Sequence, residues 1–320
     1  MALNENTVSL CTNKIVTVAV ITYHSAHTVL ETLNSIVSQV YGPENIELII
    51  SDDGSKDSTV KVIEEWLSEH GSRFYRVKFF ANEVNGGISK NCNIAWRAAT
   101  SEWIKTIAGD DLLVENALAI YMAEVEKNPE TKCCFSRVKK FTKNHELEVG
   151  SDKKMRYFFS QSAEKQYRYL IIRNIIYAPT SFINRKVLDE VGYADERYRM
   201  IEDLPLWLKI SKAGHRLSLI DMALVKYRIS ESISRSEKRI INCSYAEEVN
   251  SFMIEEVQYL KSEGYFFLGC FLYFDVKVRQ FYEWMVIYLL KNKKHNAHWA
   301  RLISIIKLVS PFSIARFFGL

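Results

Sequence analysis

Residues 15–39 read IVTVAVITYHSAHTVLETLNSIVSQ, and the order of two periodicities within them decides the fold. The first nine positions form a β-branched, apolar run of strand length, the pattern of a strand covered on both faces. From Thr28 onward Val29, Leu33 and Ile36 recur at intervals of three and four, the spacing of a helix with one buried face. The same alternation then repeats. IELIISDDGS (46–55) is a second strand closed by turn residues, and STVKVIEEWLSEH (58–70) is a helix with Ser58 or Asp57 as its cap. YRVKFFAN (75–82) reads as a third strand, ISKNCNIAWRAAT (88–100) as a third helix and EWIKTIAG (102–109) as a fourth strand.

This alternation predicts a mostly parallel, doubly wound α/β sheet, whose ligands collect beyond the carboxyl ends of the strands. The polar clusters fall there. His24 and Ser25 follow the first strand, Asp52 and Asp53 the second, NEVNGG (82–87) the third, and Asp110 and Asp111 the fourth. Between about 114 and 235 the alternation weakens into helices, short strands and a long polar loop around 142–165. IEDLPLWLKISKAGH (201–215) reads as a helix with an acidic start and Gly214 as its stop. From about 236 the pattern is helical. The expected organisation is therefore an α/β domain over 1–235 and a helical, basic, amphipathic segment over 236–320.

The 320 residues, 48% of them apolar and 12% aromatic, suffice for a sizeable core and exclude a disordered chain. The cysteines at 11, 92, 133, 134, 243 and 270 show no CxxC spacing and no secretory leader precedes them, so reduced thiols in the cytoplasm are expected. No apolar run reaches the roughly 18 to 20 residues that span a bilayer. The net charge of +4 is uneven: 291–320 carries Lys291, Lys293, Lys294, Arg301, Lys307 and Arg316 and no acidic residue. Bulky apolar residues interleave with those cations at helical spacing. That favours an amphipathic helix on an anionic membrane surface over a nucleic-acid arm, with a helix packed on its own domain as the alternative.

Neither the GxGxxG of a dinucleotide site nor a GxxxxGK[ST] phosphate loop occurs, so any phosphate must be held by a metal, by basic side chains or by helix N-termini. Adjacent carboxylates at the end of a buried strand repel each other unless they lie in water or share a cation. Magnesium or manganese, hard cations that keep waters and phosphate oxygens, suit Asp110 and Asp111, with a diphosphate as cargo. Asp53 is placed to accept hydrogen bonds from a base or ribose. Asp52 either joins it or caps the turn DDGS.

In order along the chain, VAVITYHS, IISDDGSKDST, NGGISKNCNIA, IAGDDLL, FINRKVLDEVGYADE, IEDLPLWLKISKAG and VKYRISESIS resemble the motifs of glycosyltransferase family 2, inverting enzymes of GT-A fold. The likeness covers about 15–235. It implies a nucleotide-sugar donor, commonly a UDP-sugar, with Thr22, Tyr23 and Asp53 lining the nucleoside pocket. Asp110 and Asp111 then face ribose or sugar and a Mn2+ or Mg2+ ion on the diphosphate. Asp203 matches the catalytic base and Glu202 a supporting or acceptor-binding group, although carboxylates at a helix start also serve as ordinary caps. Trp207, one turn on, is either an acceptor platform or a core side chain.

Three positions depart from the family pattern. Ala108 stands where many members have the first Asp of Asp-x-Asp-Asp, Cys92 where many have Arg, and Ser230 where a metal-binding His is frequent. Phosphate neutralisation therefore falls to Lys90 or Arg228, and metal coordination to Asp111 with phosphate and water. His24 is expected near the nucleotide and His215 on the surface, neither as a metal ligand. The resemblance and the tail together imply transfer to a polyisoprenoid-diphosphate-linked sugar in bacterial surface polysaccharide assembly (O-antigen or capsule), at the inner face of the inner membrane, with no nucleic-acid partner. A same-fold transferase with a soluble or protein acceptor, and a noncatalytic nucleotide-sugar or membrane-binding protein, are the alternatives.

Overall fold

The computed structural model describes residues 14–142, 145–148, 150, 153–229 and 239–318. They fall into two compact units, one built from residues up to Tyr167 with Ile175–Ile229, the other from Arg168–Asn174 with the described residues beyond Ser230. The boundary expected at 235 lies outside the described residues.

The first unit begins with the alternation read from the sequence. β1 (Val16–Thr22), α1 (Val29–Val37), β2 (Ile46–Asp52), α2 (Thr59–His70), β3 (Arg76–Ala81), α3 (Ile88–Ala98) and β4 (Trp103–Ala108) follow in order. Every residue of β1 and β2 is buried, as a strand covered on both faces requires. Val29, Leu33 and Ile36 of α1 and Ile63 of α2 join the core against Val18, Val20, Leu48 and Ile50. The four strands pair in parallel in the order β3-β2-β1-β4. Their registers align the chain ends: Thr22 lies opposite Asp52, Asp52 opposite Ala81, and Ile21 opposite Ala108. Four polar loops therefore leave the sheet along one edge.

The sheet then changes character. β5 (Leu112–Leu113), α4 (Ala117–Lys127), β6 (Cys133–Phe141), β7 (Glu146–Glu148), α5 (Lys153–Ser160), α6 (Ala163–Ile172, which belongs to the first unit only as far as Tyr167), β8 (Phe182–Asn184), α7 (Arg185–Val191), α8 (Asp203–Lys212) and β9 (Leu217–Arg228) follow. They extend the sheet as β4-β8-β6-β9-β5, with antiparallel pairs at β4–β8, β8–β6 and β9–β5. The long polar loop expected at 142–165 is in part structured. Glu146–Glu148 pairs with β6, and α5 packs Phe158 and Phe159 inward, two aromatics that a polar reading of the segment overlooked.

In the second unit, α9 (Cys243–Ser262) and α10 (Phe266–Tyr288) are joined through Gly264, whose φ of 83° few other residues adopt cheaply. Gly269 lets α10 lie close on α9: a Cβ there would meet the Val257 carbonyl at 3.2 Å. The tail, expected as one amphipathic helix, is broken into α11 (Ala297–Ile303), a short 3-10 helix at Ser304–Val309 and α12 (Pro311–Phe318). Pro311 cannot continue a preceding helix, and its neighbour Phe312 is buried. Asp275 of α10, itself buried, accepts hydrogen bonds from the hydroxyls of Ser310 and Ser313, fastening the tail to α10. The alternative, a tail packed on its own domain, therefore holds for part of it.

Candidate active site

The loop after β4 explains the glycine before the aspartate pair. Gly109 donates its N–H to the Ile21 carbonyl at 2.9 Å, and any Cβ there would lie 2.7 Å from Thr22 Cγ2. Only a residue without a side chain lets this loop close against the end of β1. The two aspartates then part company. Asp111 is 2% exposed, and its Oδ1 accepts the Arg228 N–H at 2.8 Å. Burial, with the neighbouring Asp110 charge adding to it, pushes the Asp111 carboxyl up to about 8, against the pull of Arg228 and Lys105. Asp110 is half-buried, and its backbone carbonyl accepts Arg228 Nε at 2.8 Å.

Arg228 ends β9, and the pairing of β9 with β5 carries it to this loop. Its guanidinium also pairs with Glu31 at 2.9 Å and lies 4.4 Å from the Phe141 ring centroid. Beneath sits Lys105, fully buried, donating to the carbonyls of Thr106, Pro179 and Ser181, its pKa lowered to about 7 by burial while Asp111 opposes that shift. A lone lysine inside the apolar strand EWIKTIA was the signal for it, and the sequence reading passed over it.

At the end of β2 the two aspartates also divide their work. Asp52 accepts the Ser55 N–H at 2.8 Å, the Ser55 hydroxyl at 2.7 Å and the Thr22 hydroxyl at 2.9 Å, so it closes the DDGS turn and uses Thr22 to do so. Asp53 is buried and accepts the Gly86 and Gly87 N–H groups at 2.7 and 3.0 Å. Burial raises its pKa, opposed by those two amides and by Arg199. Tyr23 is exposed and stacks on His24, ring centroids 4.1 Å apart. Lys90 stands exposed in the first turn of α3, its stem over Gly86.

The segment 193–203 is stitched to the start of α3, and this brings the Glu202–Asp203 pair to the same edge. Ile88 donates to the Arg199 carbonyl at 2.8 Å, Ser89 to Tyr198 at 2.5 Å, and Asn93 exchanges hydrogen bonds with Ala194 in both directions at 3.0 Å. Gly87, at φ 92°, leaves room for the Arg199 backbone, whose oxygen would lie 2.6 Å from a Cβ. Burial pushes the Cys92 thiol of α3 up, and the charges of Glu202, Asp53 and Asp203 add to that shift. Asp203 Oδ1 accepts the Leu204 N–H at 2.6 Å at the start of α8. Glu202 is half-buried, and burial together with the Asp203 charge pushes it up to about 8.

Arg199 is a second residue that sequence reasoning missed. Its guanidinium holds the carbonyls of Asn85 and Gly86, at 2.8 and 3.3 Å, over the loop that Asp53 also grips. Trp207 corrects an expectation. It is 2% exposed and packs edge-on against Phe135 at 4.8 Å, so it is a core side chain and not a platform for an acceptor. His215 pairs with Glu190 at 2.8 Å, away from any metal role. Ser230 lies outside the described residues.

Among the described residues no group of three or more His, Cys, Asp or Glu side chains converges as a metal cage. Two neighbouring carboxylates at a strand end nonetheless fit the one mode in which magnesium or manganese takes few protein ligands and completes its shell with phosphate and water. The donor set suits an ion that arrives with a diphosphate.

The sheet is mixed, with the expected parallel order confined to β3-β2-β1-β4 and the β6–β9 pair, and its helices and polar carboxyl edge are those of the GT-A fold. The family model described as Glycosyl transferase family 2 matches residues 17–192, more than half of the chain, and the protein belongs to that family. It is similar to the putative glycosyltransferase EpsE of Bacillus subtilis, 26% identical over 64% of this chain and 70% of that one. WfgD of Escherichia coli, a UDP-Glc:alpha-D-GlcNAc-diphosphoundecaprenol beta-1,3-glucosyltransferase, is 27% identical over 70% of this chain and 81% of its own. The fold is shared with S. aureus TarS 1–349 in complex with UDP-GlcNAc, at TM-score 0.58 and 20% identity over 75% of this chain and 66% of that one. Against a longer TarS structure the chain spans 39% of the match. The family match makes the protein a glycosyltransferase.

Proposed function

We propose that the protein is an inverting transferase that moves a sugar from a UDP-sugar to a hydroxyl of a polyisoprenoid-diphosphate-linked saccharide, in assembly of a bacterial surface polysaccharide such as O-antigen or capsule. The observation that carries this is the gathering of Asp53, Asp110 and the Glu202–Asp203 pair at one sheet edge. Tyr23 offers an exposed ring for the base, and Thr22 and Asp53 shape the pocket floor. Lys90 and Arg228 supply positive charge for the diphosphate. Asp110 and Asp111 would hold Mn2+ or Mg2+, which when bound neutralises the leaving diphosphate.

Asp203 takes the proton of the acceptor hydroxyl as its oxygen attacks the anomeric carbon on the side opposite the nucleotide. A carbon–oxygen bond forms there, the bond to the diphosphate oxygen breaks, and the configuration inverts. Burial and the Asp203 charge push Glu202 up to about 8, so the two neighbouring carboxyls titrate as a pair that resists carrying two charges. The relative WfgD, by its name, acts on a lipid-linked acceptor. The basic second unit supports the same choice, with the enzyme peripheral on the cytoplasmic face of the inner membrane.

A donor panel tests this: UDP-glucose, UDP-galactose, their N-acetyl forms and GDP-mannose, each with and without manganese, against lipid-linked and soluble acceptors. Manganese-dependent transfer from one UDP-sugar to the lipid-linked acceptor is expected. Transfer to soluble or protein acceptors alone would move the protein to the alternative acceptor class. Binding of donor without any turnover would make it a noncatalytic binder.

A further inference from the structure

We infer that α10 presents an aromatic ridge that seats the second unit in the headgroup region of an anionic phospholipid bilayer. This deepens the membrane reading above and is independent of the chemistry at the sheet edge. Phe267, Phe271, Phe274, Phe281, Trp284 and Tyr288 are all exposed, Phe267 at 77% and Tyr288 at 67%. They follow one another in steps of three, four and seven, so they share one face of a helix. With 23 residues, α10 runs for about 35 Å, and the ridge covers nearly its whole length.

Two observations separate this ridge from a chance scatter of surface aromatics. First, the acids of α10 are turned away from it. Asp275 is buried against Ser310 and Ser313, and Glu283 accepts Asn250 Nδ2 at 2.7 Å. Arg279 likewise reaches inward to Asn250, at 2.8 Å. The outer face keeps Lys277, whose ammonium lies 5.3 Å from the Tyr273 ring centroid. Second, from Trp284 to the end of the chain no acidic residue occurs, while Lys291, Lys293, Lys294 and Arg301 are exposed beside exposed Trp299 and Ile305.

Exposed phenylalanines joined by a tryptophan and a tyrosine, on a helix whose own acids turn inward and whose far end is followed by cations, match the interface of an anionic membrane: rings enter the headgroup layer and cations meet lipid phosphates. A second copy of the chain would bring the same cations together and repel itself. No described helix is long and apolar enough to cross a membrane, so α10 lies along the surface.

The test measures partitioning of the full chain onto vesicles of phosphatidylglycerol with phosphatidylethanolamine, and onto phosphatidylcholine alone. Binding to the anionic vesicles is expected, weaker on phosphatidylcholine and reduced by salt. Brominated lipid should quench Trp284 and Trp299 selectively, because Trp66, Trp96, Trp103 and Trp207 are buried. Combined Phe267→Ser, Phe271→Ser and Phe274→Ser should lower partitioning by about tenfold or more. Trp284→Ser alone should lower it by about threefold or more and guards against misfolding of the triple variant.

Turnover on a soluble acceptor analogue should be unchanged in these variants, so loss of membrane binding and loss of transfer are read separately. Partitioning that ignores the serine substitutions overturns the proposal. A lipid-free dimer, detected by sedimentation velocity and dissolved by the same substitutions, assigns the ridge to a second copy and overturns it equally.

Discussion

Both edges of the parallel strands bury carboxylates, and Glu47 at the amino edge contrasts with Asp111 and Glu202 at the carboxyl edge, where Asp52 alone is as well supplied with donors. At the amino edge Glu47, fully buried, accepts the Thr17 hydroxyl at 2.7 Å and the Thr100 N–H and hydroxyl at 2.8 Å each. Burial works against its ionisation, but those donors and the charge of Lys78 outweigh it and hold the carboxyl below its ordinary value. At the carboxyl edge Asp111 and Glu202 receive fewer donors, sit beside a second carboxylate and are both pushed up to about 8. A fold satisfies the charge it uses for structure and leaves unsatisfied the charge it uses for chemistry. The difference is what the proposed assignment of the carboxyl edge to chemistry rests on.

The sharpest break of this comparison comes from Asp203→Asn, which should cut turnover by about 10²- to 10⁴-fold, the usual contribution of a placed base. Donor affinity, measured by calorimetry, should stay near that of the parent. Next in size is Glu47→Gln, expected to lower stability by about 1–3 kcal/mol at neutral pH, since an acceptor of several donors becomes a poor match for them. Its turnover per folded molecule should not change. Because folding lowers the pKa of Glu47, its contribution is complete above the ordinary value of 4.5 and fades as pH falls through the lowered one. The gap between parent and variant in denaturant melts should therefore close in acid.

Glu202→Gln should act in the opposite sense. Folding raises this pKa, so between its ordinary value and about 8 the folded state binds more protons than the unfolded chain, and stability falls as pH rises through that window. The variant lacks this slope, and its melting temperature should exceed the parent's by about 2–4 °C above pH 8. Trp207→Phe marks the lower limit. Its indole nitrogen is buried without a hydrogen-bond partner among the described residues. The change should cost less than about 1.5 kcal/mol and leave the acceptor KM untouched; a rise in that KM would return Trp207 to the site.

The alternating units and their polar ends were legible because periodicity reports directly on burial. Gly109 and the paired aspartates could likewise be anticipated together, since a turn and a charge cluster are local features. What the sequence hid was the division of labour within each pair. Asp52 and Asp53 look alike in DDGS, yet one closes the turn and the other grips Gly86 and Gly87. Which does which depends on loops that meet only in three dimensions. Arg199 escaped for the same reason, its partners lying more than a hundred residues away. Trp207 misled because a helix-start carboxylate drew attention to its neighbours, although its apolar spacing already pointed inward.

The most direct measurement places Asp203→Asn and Glu47→Gln side by side and records turnover per folded molecule and melting temperature for each. If the carboxyl edge does the chemistry, the first loses at least about a hundredfold in turnover with little change in melting, while the second melts lower and turns over at the parent rate. Near-parental turnover in Asp203→Asn, or a loss in Glu47→Gln that its melting cannot explain, would contradict that assignment.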